Sequence, residues 1–286
     1  MPLEITENHN NQKKIALIND FSGFGRCSIT AQLPILSRMH VQCCPVPTAI
    51  FSNHTGYPEF FCQDYTDHLE EYLEMWEKLG LRFSGICSGF LGSVRQIRIV
   101  EEFVRKFRTG DTVVVVDPVM GDYGKLYAAY PPEMCGELKR LVALADIVTP
   151  NLTEACLLTD TPYKEKWTSA ELETLIRKVA ALGVKRVVIT GIPAGSMLCN
   201  LCYDCTSGTE VLRRNRTHKI GVSRAGTGDI FTAVIAADAV NGVPFEVSVL
   251  KASGFIRKCI MKAIEMDLPT EDGVPFEELM EQLRWK

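Results

Sequence analysis

Apolar segments of strand length alternate along the chain with longer segments whose apolar residues repeat at helical spacing. One of the short segments, Thr112–Asp117, contains four consecutive valines, as expected where helices cover both faces of a parallel sheet. The predicted strands are Ile15–Asn19, Val41–Ile50, Phe83–Ser88, Thr112–Asp117, Asp146–Thr149 and Arg186–Thr190, and the predicted helices between them are Asp64–Leu79, Ser93–Arg108, Glu133–Leu144 and Ser169–Leu182. This alternation predicts an α/β fold, a three-layer α/β/α sandwich with a mainly parallel central sheet.

The alternation stops after Thr190. The segments that follow are a predicted antiparallel hairpin of Met197–Cys205 and Glu210–His218 joined through Ser207-Gly208, two helices at Gly226–Asn241 and Phe245–Met266, and a short amphipathic tail at Pro275–Leu283. Because the chain has no internal repeat, low-complexity tract or linker, we expect one domain over residues 1–286, with 1–14 as a flexible polar N-terminus.

The composition narrows the class of protein. Of the 286 residues, 46% are hydrophobic and 23% are charged, and the formal net charge is −4, which is typical of a soluble globular protein. No basic stripe favours a nucleic acid or an anionic membrane as a partner. The first 14 residues lack the apolar core of a signal peptide, and no apolar run approaches the roughly 18 residues of a membrane span. We therefore expect a cytoplasmic protein.

Eleven cysteines are present, and three of them lie close together at Cys199, Cys202 and Cys205. The segment around them is typical of a strand, on which residues three positions apart point to opposite faces. Cys199 and Cys202 would then diverge, and no fourth Cys or His lies nearby in the sequence to complete a closed zinc site. We interpret the cysteines as reduced, buried small hydrophobic residues, with a zinc site as the alternative.

The sequence Ala225-Gly226-Thr227-Gly228-Asp229 leads into an apolar helical segment that starts at Ile230. Glycines before a helix allow backbone N–H groups to point at one spot, and the helix dipole adds about half a positive charge there. Such an arrangement is suited to binding a phosphoryl group. Asp229, in the first turn, is then either a general base or a carboxylate that only favours the start of the helix.

Three more motifs follow predicted strands. They are Asp117-Pro118-Val119-Met120-Gly121-Asp122 after the valine-rich strand, Thr149-Pro150-Asn151-Leu152-Thr153-Glu154 before a helix, and Thr190-Gly191. Ligands of open α/β sheets bind at the carboxyl ends of the strands, which favours one shared site. The structural alternatives are a Pro/Gly turn with two solvated acids for the first motif and a capping box with Asn151 as N-cap for the second.

Taken together and in this order, the four motifs resemble those of the ribokinase-like kinases, whose signature is the late Gly-x-Gly-Asp helix. In detail, Asp-Pro-Val-Met-Gly-Asp, Thr-Pro-Asn-x-x-Glu and Gly-Thr-Gly-Asp are similar to the motifs of the pyridoxal kinase family, and the resemblance covers roughly Ile15 to Asn241. It implies a ribokinase-like fold and a homodimeric kinase that uses ATP, Mg²⁺ and optionally a monovalent cation such as K⁺ to phosphorylate vitamin B6 vitamers. No Gly-x-x-x-x-Gly-Lys-Ser/Thr motif occurs, so the P-loop fold is not the host.

The resemblance also implies roles for individual residues. Asp229 would deprotonate the substrate hydroxyl, and the amides of Gly226, Thr227 and Gly228 would hold the γ-phosphate. Glu154, with Asp117 and Asp122, would position Mg²⁺, largely through water. The residues that the resemblance places against the nucleotide are Asp117, Thr149, Asn151 and Thr190, with Tyr127 closing over it.

The substrate end has two matching segments. The run from Thr48 to Tyr57 is by itself a polar loop of turn-forming residues, in which His54 would be structural. The run is similar to the family's Phe-Ser-Asn-His-Thr-x-Tyr, and the resemblance implies that Thr48 contacts the pyridine ring. In Ser88-Gly89-Phe90-Leu91-Gly92-Ser93, Phe90 stands where the family has Tyr, so ring stacking would be retained and a hydroxyl hydrogen bond lost.

The end of the first strand departs from the pyridoxal kinase pattern. Asn19-Asp20-Phe21-Ser22-Gly23 stands where several members have Gln-Ser-His, and it resembles the Ser-Asp-x-Ser-Gly-Gly of hydroxymethylpyrimidine kinases. Asp20 and Ser22 are either substrate contacts or parts of a strand-end turn. As a contact, the Asp20 carboxylate would favour the ammonium-bearing arm of pyridoxamine.

The leading interpretation is a pyridoxal/pyridoxamine/pyridoxine kinase, and the alternative on the same fold is a hydroxymethylpyrimidine (phosphate) kinase. Two other classes are weighed against it. A dinucleotide-dependent oxidoreductase would need Gly-x-Gly-x-x-Gly after the first strand, but Ser28 occupies the third glycine position after Gly23 and Gly25. A non-catalytic binder of B6 vitamers would need neither Asp229 nor Glu154.

Overall fold

The computed structural model describes residues 7–127, 130–131 and 133–283. Its strands are β1 (Lys14–Phe24), β2 (Gln42–Asn53), β3 (Cys62–Asp64), β4 (Gly85–Ser88), β5 (Val113–Val116), β6 (Gly121–Asp122), β7 (Lys125–Leu126), β8 (Ile147–Val148), β9 (Arg186–Ala194), β10 (Met197–Asp204) and β11 (Val211–His218). Within the described residues, β6 and β7 form a separate ribbon, and the other nine strands form one sheet in the order β11-β10-β9-β8-β5-β4-β1-β2-β3. The six strands from β9 to β2 are parallel, and β3, β10 and β11 are antiparallel to their neighbours.

Helices cover both faces of this sheet. One layer consists of α2 (Thr66–Lys78), α3 (Val94–Phe107), α4 (Glu133–Val142), α5 (Leu152–Leu158) and α6 (Ser169–Ala180), and the other consists of α1 (Ser28–Arg38), α7 (Thr227–Asn241) and α8 (Phe245–Glu265). Side chains alternate between the two cores along each strand, so that Ala16 and Ile18 of β1 belong to one core and Ile15 and Leu17 to the other. The predicted three-layer α/β/α sandwich and its antiparallel hairpin are confirmed.

Helix α7 is buried along most of its length, because the nine residues Ile230–Asp238 are all buried. A helix that is apolar all round cannot lie on a surface, and α7 packs against α1, α8 and the strands β4 and β5. Its first residue is Thr227, and Thr232, one turn further on, reaches the residue that follows β5. The start of α7 is therefore fixed at the carboxyl end of the central strands.

Three strands, β1, β2 and β9, continue beyond their predicted ends, and helix α1 was absent from the prediction. β1 and β2 continue to Phe24 and Asn53, where they still pair with each other. The segment expected as a polar loop from Thr48 is therefore strand as far as Asn53. Helix α1 contains Pro34, which removes a backbone donor and disguises the helical pattern.

Part of the segment expected to be a flexible N-terminus is packed against the domain, and residues 1–6 lie outside the described part of the chain. Residues 7–10 form a 3₁₀ turn, and Asn10 Oδ1 accepts a hydrogen bond from Arg82 N at 2.8 Å. Lys14 is buried at the start of β1, where its Nζ donates to His9 O at 2.5 Å and burial lowers its pKa. Residues 7–14 thus form hydrogen bonds with the domain, and the flexibility predicted for 1–14 stays a prediction.

The cysteine cluster on β10 diverges as predicted. Cys199 is buried in the core on one face of the sheet, Cys202 is buried in the core on the other, and Cys205 follows the end of the strand. No three His, Cys, Asp or Glu side chains of the described residues are close enough together to hold a metal ion directly. The zinc alternative is therefore wrong for this cluster.

A search of the described residues for a helix both long and apolar enough to cross a membrane finds none.

Candidate active site

The predicted site residues gather at the carboxyl edge of the parallel strands. Asn19 after the first part of β1 donates to Asp229 of α7, and Thr232 of α7 donates to Asp117 after β5. Asn151 after β8 forms a β-bridge with Thr190 in β9. The motifs that are far apart in the sequence therefore line one cleft between the sheet and the start of α7, as open α/β sheets generally arrange their ligand sites.

The loop before α7 has little room for side chains at one position. Gly226 is the N-cap of the helix and has a φ of 74°, in the left-handed region that favours glycine. A Cβ atom at Gly226 would lie 1.7 Å from the main-chain oxygen of Arg26, whereas a Cβ at Gly228 would meet no atom within 4 Å. The two backbones approach closely here, which only a glycine allows. The first N–H groups of a helix have no partner within the helix, and they favour an anion at its start.

Arg224 connects the loop before α7 to residues 268–273, which follow α8. The side chain is nearly buried, and its Nη1 donates to the main-chain oxygens of Leu268 at 3.0 Å, Pro269 at 2.8 Å and Gly273 at 3.4 Å. The Arg224 oxygen in turn accepts a hydrogen bond from Thr227 Oγ1 at 3.1 Å. One guanidinium thus connects the segment before α7 to the segment after α8.

Asp229 is held in the first turn of α7. Asn19 Nδ2 donates to its Oδ1 at 3.1 Å, and the backbone N–H of Ser28 also stabilises the charged carboxylate. Burial nevertheless raises the pKa of Asp229 to about 7, with the negative charges of Asp20 and Asp117 adding to the effect of burial. A carboxylate with a pKa near neutrality is matched to general-base work.

Asp117 sits on a chain of hydroxyl groups at the end of β5. Its Oδ2 accepts from Thr232 Oγ1 at 2.9 Å, and Thr232 Oγ1 lies 2.9 Å from Thr149 Oγ1. All three side chains are buried, and burial raises the pKa of Asp117 despite these hydrogen bonds. Thr149 is therefore hydrogen-bonded to the hydroxyl that donates to Asp117, and its predicted contact with the nucleotide stays a prediction.

Glu154 has the capping-box geometry that the sequence suggests. Its Oε2 accepts from Asn151 N at 2.7 Å, and Asn151 Oδ1 accepts from Glu154 N at 2.9 Å. Its Oε1 accepts from Met120 N at 3.2 Å, so the same carboxylate also fixes the loop after β5. Burial and the nearby charge of Asp117 raise the pKa of Glu154 well above its ordinary value.

The ribbon of β6 and β7 carries two further predicted residues, Asp122 and Tyr127. Its turn residues, Tyr123 and Gly124, have φ values of 50° and 76°, as in the two-residue turns that close tight hairpins. The ribbon is anchored to the start of α5, because Asn151 Nδ2 donates to Gly121 O at 2.8 Å. Burial raises the pKa of the Tyr127 phenol, and the charges of four acids, Glu154, Asp122, Asp117 and Asp229, add to the effect of burial.

The carboxylates fit a hard divalent cation. Asp117 and Glu154 are buried near each other, and among the described residues neither has a Lys or Arg partner. Two uncompensated buried carboxylates raise each other's pKa and attract a cation with oxygen-ligand preference. No three acids of the described residues are close enough together to hold an ion directly, and the position of Mg²⁺ near Asp117, Asp122 and Glu154 stays a prediction.

The substrate end is built around a bulge in the pairing of β1 and β2. β2 has one more residue than β1 between the pairs Asn19–Pro47 and Phe21–Ile50, and this extra length contains Thr48. Thr48 is fully buried, and its Oγ1 donates to Phe90 O at 2.9 Å. It holds the Phe90 backbone in place, and its predicted contact with a pyridine ring stays a prediction.

Phe90 contributes to an aromatic wall at this end. Its ring packs edge-on against Phe51 with centroids 6.2 Å apart, and Phe51 packs in the same way against Phe60 at 5.8 Å. Phe90 is half-buried, so part of its ring remains accessible for stacking on a planar ligand.

Asp20 and Ser22 are joined in one buried network. Asp20 Oδ2 accepts from Ser22 Oγ at 2.9 Å, and its Oδ1 accepts from Ser28 Oγ at 2.6 Å. Ser28 has a φ of 52°, an unusual conformation for a non-glycine residue and one that sites often contain. Asp20 therefore stabilises the turn into α1, and a carboxylate with two donors can still accept a third from a ligand.

His54 is structural, in agreement with the prediction for it. Its Nδ1 accepts from Gly56 N at 3.0 Å, so Nε2 carries the proton and donates to Glu271 O at 2.7 Å. A Cβ atom at Gly25 would lie 2.3 Å from the His54 ring. Tyr57 OH donates to Asp272 Oδ1 at 2.7 Å. The hydrogen bonds of His54 and Tyr57 thus join the segment that follows β2 to the segment after α8.

Several residues of the site were not predicted from the sequence. They are Asn19, Ser28, Gln32, Thr153, Arg224 and Thr232. Thr232 could have been found, because it lies three residues after Asp229 and therefore on the same helix face. The others depend on contacts between distant segments, for which the sequence gives no local signal.

Comparison with known proteins identifies the class. The fold is the ribokinase-like α/β/α sandwich, since a pyridoxal kinase from Lactobacillus plantarum superposes with a TM-score of 0.87 at 25% identity, covering 96% of this chain and 97% of its own. The model of the phosphomethylpyrimidine kinase family matches residues 24–272. The chain belongs to this family.

Two further relatives are similar over much of the chain. A provisionally named phosphomethylpyrimidine kinase from Bacteroides thetaiotaomicron VPI-5482, crystallised with pyridoxal, has a TM-score of 0.92 at 37% identity and covers 96% of both chains. Pyridoxal kinase of Arabidopsis thaliana is 34% identical over 200 residues, 67% of this chain. The chain spans between 57% and 64% of the length of the first three curated relatives that it matches.

Proposed function

We propose that this chain is an ATP-dependent kinase that phosphorylates the 5′-hydroxymethyl group of vitamin B6 vitamers, giving pyridoxal 5′-phosphate from pyridoxal. The observation that carries the proposal is the position of Asp229 in the first turn of α7. Asp229 is a carboxylate with a pKa of about 7, and it lies beside the glycine loop that starts this helix. A base next to an anion-binding helix end is what transfer of a phosphoryl group to a hydroxyl needs.

In the proposed reaction, Asp229 accepts the proton of the substrate hydroxyl. The hydroxyl oxygen forms a bond to the γ-phosphorus of ATP, the bond between this phosphorus and the β,γ-bridging oxygen breaks, and ADP leaves. The N–H groups of Gly226, Thr227 and Gly228 stabilise the charge on the transferred phosphoryl oxygens. Protein side chains supply alignment and charge, and little covalent chemistry is required of them.

Glu154, Asp117 and Asp122 are the residues that would hold Mg²⁺, which neutralises phosphate charge when bound. Asn151, Thr149, Thr190 and Tyr127 are proposed to contact the nucleotide, as the resemblance implies. Thr48, Phe90, Asp20 and Ser22 are proposed to line the vitamer pocket. A requirement for K⁺, a homodimeric assembly and a cytoplasmic location stay predictions.

Hydroxymethylpyrimidine (phosphate) kinase is the second candidate. It is favoured by the name of the matching family and by the Asn19-Asp20-Phe21-Ser22-Gly23 segment. The pyridoxal-bound relative and the Phe51–Tyr57 segment favour the B6 vitamers instead. Both substrates present a hydroxymethyl group on a flat heteroaromatic ring, so the same catalytic end would serve either of them.

Two other classes fit the site less well. In a dinucleotide-binding turn, the glycines admit a pyrophosphate, but Gly25 admits the ring of His54 here. A non-catalytic vitamer binder gives no reason for two buried carboxylates without basic partners among the described residues, because such groups are costly unless a cation compensates them.

The test is a substrate-dependent assay of ATP consumption with pyridoxal, pyridoxamine, pyridoxine, hydroxymethylpyrimidine and its phosphate, each with Mg²⁺. We expect the highest kcat/KM for a B6 vitamer, with ADP and the 5′-phosphate formed in equal amounts. A higher kcat/KM for the pyrimidines would establish the second candidate. Binding of pyridoxal without any ATP turnover would establish the non-catalytic binder.

A further inference from the structure

Asn19, in β1 next to the start of α7, uses every hydrogen-bonding position of its side-chain amide. Its Oδ1 accepts from Asp20 N at 3.0 Å and from Phe90 N at 2.7 Å. Its Nδ2 donates to Gln32 Oε1 at 2.9 Å and to Asp229 Oδ1 at 3.1 Å. Two acceptor sites and two donor hydrogens are all that an amide offers, so Asn19 has a single orientation with every position satisfied.

The orientation of this amide does not depend on a choice between its oxygen and nitrogen. Both partners on one side are backbone N–H groups, which can only donate, so the Asn19 oxygen must face them. The nitrogen must then face Asp229, and Asp229 Oδ1 must act as an acceptor. Protonation of Oδ1 would weaken it as the acceptor for this amide, so a proton that Asp229 takes up is favoured on Oδ2.

The side chain of Asn19 is tightly enclosed by neighbouring residues and has no room for a different orientation. It is 1% exposed, and a Cβ atom built on Gly89 would lie 2.5 Å from its Nδ2. Gly89 does not have a left-handed φ, so it is the space taken by the Asn19 amide, and not the backbone conformation, that excludes a side chain there. Through Phe90 N, the same amide is connected to the strand end that carries the aromatic wall.

We propose that Asn19 is a positioning residue that commits Oδ1 of Asp229 to hydrogen bonding and leaves Oδ2 as the oxygen that takes the substrate proton, while it ties the base to the substrate end through Phe90. This inference rests on the proposed function, because it requires Asp229 to act as the base. Asn19 itself touches neither the nucleotide nor the transferred proton.

The pKa of Asp229 depends on the charged and hydrogen-bonding groups around it. The titratable groups that face it are Asp20 from β1, Cys27 before α1, Cys87 in β4, Asp117 after β5, and Tyr127. The amide of Asn19 donates to the charged form of Asp229, so it holds the pKa of Asp229 below the value that burial and these neighbouring acids would otherwise give. Removal of this donor must therefore raise that pKa.

The variant that isolates this effect is Asn19→Asp. It keeps the shape and an oxygen for Asp20 N and Phe90 N, but it replaces the donor that faces Asp229 with a second carboxylate oxygen. Two carboxylates at hydrogen-bond distance cannot both be charged, so the acid limb of kcat/KM should move to higher pH by about one to two units. At neutral pH, kcat/KM should fall by about tenfold or more, with recovery in alkaline buffer.

Gly89→Ala is the second variant, and it tests the positioning role of Asn19 if Asn19→Asp does not fold. Its added methyl group displaces the Asn19 amide without touching Asp229, so it should move the acid limb in the same direction. Gly136→Ala, in α4 where an added Cβ meets no atom within 4 Å, is the matched control, and its pH profile should equal that of the wild type.

The outcomes are distinct. An acid limb within about 0.3 unit of the wild type in a folded Asn19→Asp or Gly89→Ala variant overturns the positioning role, because a lost charge-assisted donor shifts a pKa by more than this. Activity that is low at all pH values, without alkaline recovery, also overturns it and indicates a structural role for Asn19. If Asp229→Asn keeps the wild-type rate, it is the proposed function that fails.

Discussion

The two ends of the cleft are built in different ways. At the phosphate end, Asp229, Asp117 and Glu154 are acids fixed by backbone N–H groups and by buried hydroxyl or amide groups of the core elements. At the substrate end, β1 and β2 extend beyond the rest of the sheet, and their outer parts expose Phe24 at 57% and Ile50 at 41%.

The two ends of the cleft differ in whether the core of the domain supports them. Helix starts and parallel strand ends are held by the core, so the phosphate end is organised before any ligand arrives. The substrate end depends on contacts between distant segments, such as His54 with Glu271 and Tyr57 with Asp272. We therefore expect substitutions at the phosphate end to affect the reaction rate and those at the substrate end to affect the choice of substrate.

The largest expected effect is at Gly226. In Gly226→Ala, the new methyl group would lie 1.7 Å from Arg26 O, and the residue would keep a φ of 74° that alanine disfavours. The free energy of unfolding should fall by about 3 kcal/mol or more, and phosphoryl transfer should be lost because the loop before α7 moves. Urea unfolding and the kinase assay measure the two effects.

Gly228→Ala is the matched control for stability. It lies in the same loop-to-helix segment, but a Cβ atom there meets no atom within 4 Å and its φ is outside the left-handed region. Its free energy of unfolding should be unchanged or rise by up to about 1 kcal/mol, because alanine favours a helix over glycine. Equal destabilisation by the two variants would contradict the close packing that we assign to Gly226.

The next effect concerns Glu154, which is both a cap and a charge near the proposed cation. Glu154→Gln should raise the Mg²⁺ concentration for half-maximal rate by about ten- to a hundredfold, because a charged oxygen near the ion is lost. Glu171→Gln is a matched control, since Glu171 closes the capping box of α6, a helix that contributes none of the proposed site residues. It should lower Tm slightly and leave the Mg²⁺ dependence unchanged.

If Glu154→Gln lowers only Tm, as Glu171→Gln does, the role of Glu154 is confined to the capping box. The proposed ion would then have to be held by Asp117 and Asp122.

The smallest effect is at Asp20, at the substrate end. Asp20→Asn keeps the size of the side chain and removes its charge. The charge-assisted hydrogen bond that we propose between Asp20 and the ammonium group of pyridoxamine is then lost. The ratio of kcat/KM for pyridoxamine to that for pyridoxal should fall about tenfold. An unchanged ratio together with a lower Tm would mean that Asp20 acts only through Ser22 and Ser28 in the turn.

Sequence patterns predicted the phosphate end better than the substrate end, and the reason is physical. The capping box of Asn151 and Glu154 and the glycine start of α7 are local, so spacing along the chain is enough to find them. The sheet was predicted in outline because continuous apolar strands such as β5 are distinctive. Helix α1 was missed because Pro34 breaks its pattern.

The substrate end could not be predicted at the level of contacts. The polar run after Thr48 is typical of a loop, yet it continues as strand to Asn53 because β1 pairs with it beyond the sheet. Nothing in the sequence links His54 to residue 271 or Asn19 to residue 229, since these contacts arise only after folding. Family resemblance selected candidate segments there, but it did not show which of their groups form structural hydrogen bonds.

The most direct test of the account is the rate of Asp229→Asn at saturating ATP, Mg²⁺ and B6 vitamer. Asparagine keeps the shape and can still accept from Asn19, but it cannot take the proton of the substrate hydroxyl. We predict a fall in kcat of about 10²- to 10⁴-fold with little change in nucleotide affinity. We also predict loss of the acid limb that we expect near neutral pH for the wild type. A fall of less than about threefold would contradict the assignment of Asp229 as the base, because a positioned base contributes far more.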